Sequence, residues 1–241
     1  MFLAAAFAIG FVAFGVGSDV QGGIADIIGQ GRVDDSGQVS VEEAQEKLAK
    51  NPNDEQALRE LARAFQTEGR PEEAITPLET YTALKPKDED ALRELASLYL
   101  TQATRLRTEL QFAQAAAAEA NPGAVFAPAP GTPFASALSG GQVVDAAAAK
   151  ANERVNEVLG ELSAAYQNAS RTYKLVAELS PEDAALQITL ADAALNAGDT
   201  ATAIEAYKKF LELAPDDPTA PAIRERIKQL EGFAVTPPTQ Q

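Results

Sequence analysis

The sequence of 241 residues contains no cysteine, no histidine and no tryptophan. Without cysteine and histidine there is no disulfide, no thiolate or imidazole ligand for a metal, no cysteine nucleophile and no histidine general base. Because these groups serve most enzymes, we predict a protein that is not an enzyme and that has no cofactor, no metal and no small-molecule substrate. A hydrolase that uses carboxylates alone stays open as an alternative.

Basic residues are also scarce: 20 lysines and arginines stand against 35 aspartates and glutamates, a net charge of -15. An acidic surface repels nucleic acid at long range, so we predict no nucleic-acid partner. The chain is instead rich in alanine and leucine and has few β-branched runs, a composition typical of helices that pack through small side chains. We therefore predict an all-α fold.

The N-terminal segment "MFLAAAFAIGFVAFGVG" carries no charge, and the first charged residue is Asp19. A helix over these residues would span about 25 Å, slightly short of the ~30 Å hydrocarbon core. We predict a transmembrane anchor at residues 1–18, a linker at 19–39 and a single-pass membrane protein with its C-terminal domain outside the cytoplasm. A cleaved signal peptide and a buried helix of a soluble domain are the alternatives.

A repeated pattern follows the linker. The stretch "NPNDEQALRELARAF" begins at Asn51, and "KPKDEDALRELASLY" begins 34 residues later at Lys85. Each has a proline, then leucines and alanines at helical spacing, and the pattern returns as "SPEDAALQITLADAA" from Ser180. A 34-residue helix–turn–helix unit closed by proline resembles the tetratricopeptide repeat (TPR). The resemblance predicts a TPR domain over residues 40–232 and a loose tail over residues 233–241.

The third stretch begins 95 residues after the second, which leaves 61 additional residues in the middle repeat. We predict that its helices A and B both continue past their usual length and form a long antiparallel hairpin, inserted at about residues 104–160. The insertion has an apolar heptad seam typical of a coiled coil. This seam comprises Val144, Ala148, Ala151, Val155, Val158, Leu162, Ala165 and Ala169.

The end of the predicted hairpin carries no charge from Ala120 to Val144. It includes Val125, Phe126 and Phe134, which we predict to contact a partner or a bilayer. The alternative is an alanine- and proline-rich loop whose phenylalanines fold back onto the hairpin.

The TPR resemblance implies a peptide-binding groove lined by the A helices. On that face we predict that Arg59, Arg63 and Arg93 bind a carboxylate or an acidic segment of a protein partner. The alternative assigns Arg59 and Arg93 to ordinary helix-surface pairs with Glu55 and Glu89, four residues earlier in each case.

Two local features are also predicted from single residues. Ser40 with Glu43 forms a capping-box pattern that would begin a lone helix before the first repeat. Pro77 lies within helix B of the first repeat, where it should kink the helix because it lacks a backbone N–H.

The order of parts suggests two functions. An N-terminal anchor, a short linker and a small TPR domain together resemble the ancillary TPR subunits of bacterial secretion translocons and periplasmic chaperones, which implies a scaffold or chaperone-like accessory of a cell-envelope complex. The inserted hairpin departs from that pattern. The alternative is a structural spacer or assembly factor that acts through its hairpin in cell-wall or division machinery.

Overall fold

A computed structural model of the chain describes residues 39–120 and 142–235, which belong to one compact unit. Within these ranges the secondary structure is helical throughout, which confirms the predicted all-α class. The helices are α1 (Val41–Lys50), α2 (Glu55–Thr67), a 3₁₀ turn (Pro71–Ala74), α3 (Ile75–Leu84), α4 (Glu89–Ala120), α5 (Gln142–Leu179), α6 (Ala184–Asn196), α7 (Thr200–Leu213) and α8 (Ala220–Val235). The last helix extends into the predicted tail.

Aspartates begin equivalent helices. The carboxylates of Asp54, Asp88 and Asp183 each accept a hydrogen bond of 3.0 Å from the backbone N–H three residues later, at the start of α2, α4 and α6. This bond satisfies an amide that has no partner within the helix. Ser40 caps α1 in the same way, with 3.2 Å from the Glu43 N–H to its hydroxyl.

Glycines end two of these helices. Gly69 and Gly198 follow α2 and α6 with φ of 74° and 79°, a left-handed conformation that other residues adopt only with strain. The A helices of the first and third units therefore stop and reverse at equivalent glycines. In the middle unit the chain instead continues along α4.

Three helix pairs form the array. The first pairs α2 with the 3₁₀ turn and α3, the second pairs the start of α4 with the end of α5, and the third pairs α6 with α7. The N-terminal cluster of buried side chains joins α1, α2 and α3 to α4 and includes Leu61, Phe65, Leu78 and Tyr99. The C-terminal cluster joins α4 and α5 to α6, α7 and α8 and includes Val176, Leu190, Tyr207 and Leu230.

The helices α4 and α5, of 32 and 38 residues, pack side by side over much of their length. The pairing is antiparallel, since Leu92 shares a cluster with Val176 whereas Arg154 forms an ion pair with Glu109 near the far end. A third group of buried side chains, the stem cluster, lies between them beyond the array: Ala103, Leu106, Val158, Ala165 and Tyr166.

From Ala148 onward, the predicted heptad seam lies on the inner side of α5. From Ala148 to Ala169 every seam position is buried or half-buried, whereas most residues between them are exposed. The two long helices lie where the sequence predicted the inserted hairpin. Its predicted tip falls outside the described residues.

The irregularity predicted at Pro77 is present in a different form. Helix B of the first unit begins as the 3₁₀ turn, and the regular helix α3 starts only at Ile75. Pro77 therefore lies in the first turn of α3, where an N–H would have no partner within the helix in any case. Helix B thus changes from a 3₁₀ turn to an α-helix at Ile75, in place of the kink predicted at Pro77.

Over residues 39–120 and 142–235, none of the helices combines the length and the apolar character needed to cross a bilayer. The predicted anchor at residues 1–18 lies outside these ranges.

Candidate functional site

The candidate site is the helix A face, the surface formed by α2, the first three turns of α4, and α6. Arg59 on α2 bonds Glu94 on α4, with 2.7 Å between Nη1 and Oε2. The Arg59 guanidinium also lies 5.2 Å from the ring centroid of Tyr81, within cation–π range. The other oxygen of Glu94 accepts a 2.6 Å hydrogen bond from the Gln66 amide. These side chains join the A helices of the first two units.

Arg93 makes the corresponding connection to the third unit. Its Nη2 lies 2.7 Å from Glu89 on the same helix and 2.8 Å from Asp183, the residue that caps α6. The Leu186 N–H, and then Arg93, hold the pKa of Asp183 below its ordinary value. The pKa of Glu89 is lowered in turn, first by the hydrogen bond that the Ser180 hydroxyl donates to it and then by Arg93.

The predicted surface pairs are present in one of two cases. The pair Glu89–Arg93 forms as the alternative described. Glu55 instead bonds Lys85, at 2.9 Å, so that Arg59 takes its partner from the neighbouring unit.

Arg63 differs from the other two arginines. It lies one turn after Arg59 on α2, is exposed to solvent, and no carboxylate of the described residues lies within ion-pair distance of it. Arg59 and Arg93 thus connect helices within the array, whereas the Arg63 guanidinium can meet a ligand. The binding of a partner by these three residues stays a prediction.

The third unit presents other side chains at equivalent positions, Ile188 and Asp192. Asp192 accepts a hydrogen bond of 2.7 Å from the Tyr207 hydroxyl. Burial, together with this bond, raises the pKa of Tyr207 to about 12. The positive side chains of the helix A face are therefore confined to the first two units.

Three important residues of this face were not predicted: Glu94, Gln66 and Asp183. The repeat length could have predicted these residues, because side chains about 34 residues apart lie on neighbouring helices of the stack. Glu94 follows Arg59 by 35 residues, close to the repeat length, which places the two side chains on neighbouring A helices.

The other predicted contact residues, Val125, Phe126 and Phe134, lie outside the described residues. Their predicted contact with a partner stays a prediction.

Comparison with known proteins identifies a repeat family in the third unit. Residues 184–220 match the profile of the tetratricopeptide repeat, and this segment spans α6, α7 and the start of α8. A search of the curated proteins gives no significant match.

Two solved structures are similar over most of their length. The crystal structure of MamA protein is 18% identical, with 73% of this chain and 81% of that chain covered and a TM-score of 0.26. The crystal structure of TTC0263, a thermophilic TPR protein in Thermus thermophilus, is 20% identical, with 79% and 88% covered and a TM-score of 0.25. Scores this low add nothing to the functional argument.

Proposed function

We propose that this protein is a membrane-anchored TPR interaction module that serves as a scaffold or chaperone-like accessory of a cell-envelope or secretion complex. The observation that carries the proposal is the repetition of one helical unit. The match at residues 184–220 covers a unit whose aspartate cap and reversing glycine also occur in the first unit. TPR units commonly bind protein segments, so protein binding is the function that this architecture supports best.

The helix A face has the properties of a peptide-binding surface. Ion pairs hold Arg59 and Arg93 between neighbouring helices, which limits the entropy lost when a ligand binds. Arg63 is exposed beside them and provides a guanidinium for an acidic side chain of the partner. We therefore expect the partner segment to carry at least one carboxylate near Arg63.

The membrane part of the proposal rests on residues 1–18 alone. Their uncharged composition is that of a membrane anchor, and it would bring the array close to membrane-bound complexes. Membrane fractionation tests this part. We expect the full-length chain to stay in the membrane pellet through a carbonate wash, whereas release of intact chain into the wash would contradict the anchor.

Photo-crosslinking tests the interaction surface. A photoreactive phenylalanine analogue replaces Thr67, an exposed residue one turn after Arg63 on α2, in the full-length, membrane-bound chain, and mass spectrometry identifies the proteins it links. The matched control carries the same analogue at Lys150, an exposed lysine on the hairpin helix α5. We expect subunits of a secretion complex from position 67 and not from position 150. The same proteins from both positions would contradict a specific helix A face.

One observation favours the second candidate, a spacer or assembly factor. The helices α4 and α5 continue without interruption past the array, where they pair as a stem with its own buried cluster. Cell-wall or division proteins linked from position 150, with none from position 67, would favour that function.

A further inference from the structure

A second surface lies between the B helices of the first two units, α3 and α5. This B-helix groove encloses about 280 Å³, and its apolar lining comprises Ala83, Pro86, Leu92, Leu95 and Leu175. Leu175 is 45% exposed, and Leu179, one turn further along α5, is 37% exposed. Leu92 belongs to the C-terminal cluster and Leu95 to the N-terminal cluster, so the groove opens where the two clusters meet.

The polar groups beside the groove already have partners within the chain. The Thr82 hydroxyl donates to the Leu78 carbonyl at 2.9 Å, and the Glu79 carboxylate accepts from the Tyr99 hydroxyl. A ligand therefore gains mainly apolar contacts here. The volume lies just below the ~300–1,000 Å³ of small-molecule sites, which suits one or two large side chains of a protein segment.

The charge of the chain restricts which segment can enter. At a net charge of -15, two copies repel each other, so contact between copies favours a segment without charge. Residues 120–144 carry no charge and include Phe126 and Phe134. We propose that the B-helix groove binds this hairpin tip of a second copy. The proposal goes beyond the helix A face and rests on the tip as a contact surface.

The tip cannot reach the groove of its own chain. Along α5, Leu175 lies 33 residues from Gln142, about 50 Å at 1.5 Å per residue. Along α4, Leu95 lies 25 residues from Ala120, about 38 Å. Phe126 is six residues beyond Ala120, a reach of about 20 Å when fully extended, and Phe134 is eight residues before Gln142, a reach of about 27 Å. A tip in this groove must come from another molecule.

Such a contact joins two different surfaces, a tip and a groove. It is heterologous, so each molecule has one tip and one groove to offer and copies assemble into rings or open chains. The groove lies at the opposite end of the long helices from Ala120 and Gln142, the residues that flank the tip in the sequence, so the assembly would be head-to-tail.

Isotope-resolved photo-crosslinking tests the proposal in the full chain. The photoreactive analogue replaces Phe126 in ¹⁵N-labelled protein, which is mixed with unlabelled protein before illumination. We expect links from labelled tips to unlabelled peptides that contain residues 82–95 or 171–182. Leu175→Asp in the unlabelled protein should lower their yield about tenfold, since covering the new carboxylate removes its hydration.

Leu159→Asp is the matched control, because Leu159 is 43% exposed but lies on the hairpin, away from the groove. It should leave the yield unchanged. The absence of links between copies, links elsewhere on the chain, or an equal loss with Leu159→Asp would each overturn the proposal. So would links from an analogue at Phe11 in place of Phe126, which would make the N-terminal segment the occupant. The crosslinking experiment at Thr67 tests the helix A face independently of these results.

Discussion

Asp183 performs two tasks at one position. Its carboxylate caps α6 through the Leu186 N–H and at the same time bonds Arg93 on the preceding A helix. Asp88 combines tasks similarly, since it caps α4 and accepts a 2.6 Å hydrogen bond from the Tyr81 hydroxyl. The same aspartate therefore takes part both in the start of a unit and in its packing on the preceding one.

Two substitutions of Asp183 distinguish its helix cap from its bond to Arg93. We expect Asp183→Ala to lower the free energy of unfolding by about 1–2 kcal/mol, because both the cap and the bond to Arg93 are lost. Asp183→Asn should cost less, since asparagine retains the cap. Urea denaturation followed by circular dichroism measures both. Asp54→Asn is the control, because Asp54 caps α2 and forms no ion pair within the described residues. Equal losses for Asp183→Ala and Asp183→Asn would contradict the separate capping role.

The same residue predicts a pH dependence. The pKa of Asp183 is lower in the folded chain than the ~3.9 of an unfolded aspartate. Its charge therefore stabilises the fold above about pH 4, and this contribution is lost as the pH falls through the folded pKa. We expect the stability difference between the native protein and Asp183→Asn to shrink below about pH 4. A difference that does not change with pH would contradict the assignment.

Tyr207 predicts the opposite dependence. Burial and the bond to Asp192 raise its pKa to about 12, above the ~10 of an unfolded tyrosine. A raised folded pKa stabilises the fold below about pH 10, and the contribution is lost between about pH 10 and 12. Tyr207→Phe should cost about 1 kcal/mol at neutral pH and lose less stability over that alkaline range. Urea denaturation at several pH values, with tyrosinate absorbance, measures this; identical alkaline losses would exclude it.

Among the elements, the hairpin has two parts with different roles. Near the array, the stem cluster buries Leu106 and Val158 almost completely, and Ala197 at the C-terminal end of α6 packs against it. Further out, side chains of the paired helices are mostly exposed and the inward positions are occupied chiefly by alanine. The inner part therefore supports the array, and the outer part contributes little to it.

Two deletions distinguish these parts. Removal of residues 111–153 with a short glycine bridge keeps Leu106 and Val158, and we expect a folded array with little change in thermal stability. Removal of residues 104–160 deletes both side chains, each worth about 1.5–3 kcal/mol of burial, and should lower the melting temperature clearly. Circular dichroism melting compares them. An unfolded shorter deletion would show that the outer hairpin belongs to the core.

The sequence predicted the helices better than the side-chain contacts between them. The 34-residue spacing and the heptad seam are local patterns, so the helix pairs and the inner side of α5 followed from them. The partner of Arg59 did not, because the spacing of four residues suggested Glu55 on the same helix, whereas Glu94 lies on the next A helix. The groove at Leu175 was also missed, since it forms only when α3 and α5 are stacked.

At the scale of the whole array, the buried side chains that stabilise the fold are divided among separate clusters. The N-terminal and C-terminal clusters share no buried residue, and Leu100 on α4 packs against both of them and against the stem cluster. Contacts in stacked repeats are mainly between neighbours. The two ends of the array should therefore open separately.

Hydrogen exchange tests that separation. Leu78→Ala, in the N-terminal cluster, should cost about 2–5 kcal/mol and speed exchange chiefly in α1, α2 and α3. Leu190→Ala, in the C-terminal cluster, should act chiefly on α6, α7 and α8. Mass spectrometry of exchanged peptides gives the rates. Uniform acceleration by both variants would indicate a single cooperative unit.

The continuity of α4 and α5 has a mechanical consequence. Neither helix is interrupted between the stem and the second unit, so the hairpin is a rigid lever fixed directly in the middle of the stack. From Gln102 to Ala120 the arm is about 27 Å long, and a sideways displacement of about 5 Å at its end turns its base by about 10°. Leu100 lies at this pivot, against all three clusters. A force applied at the far end of the hairpin would thus change the angle between the first and third units.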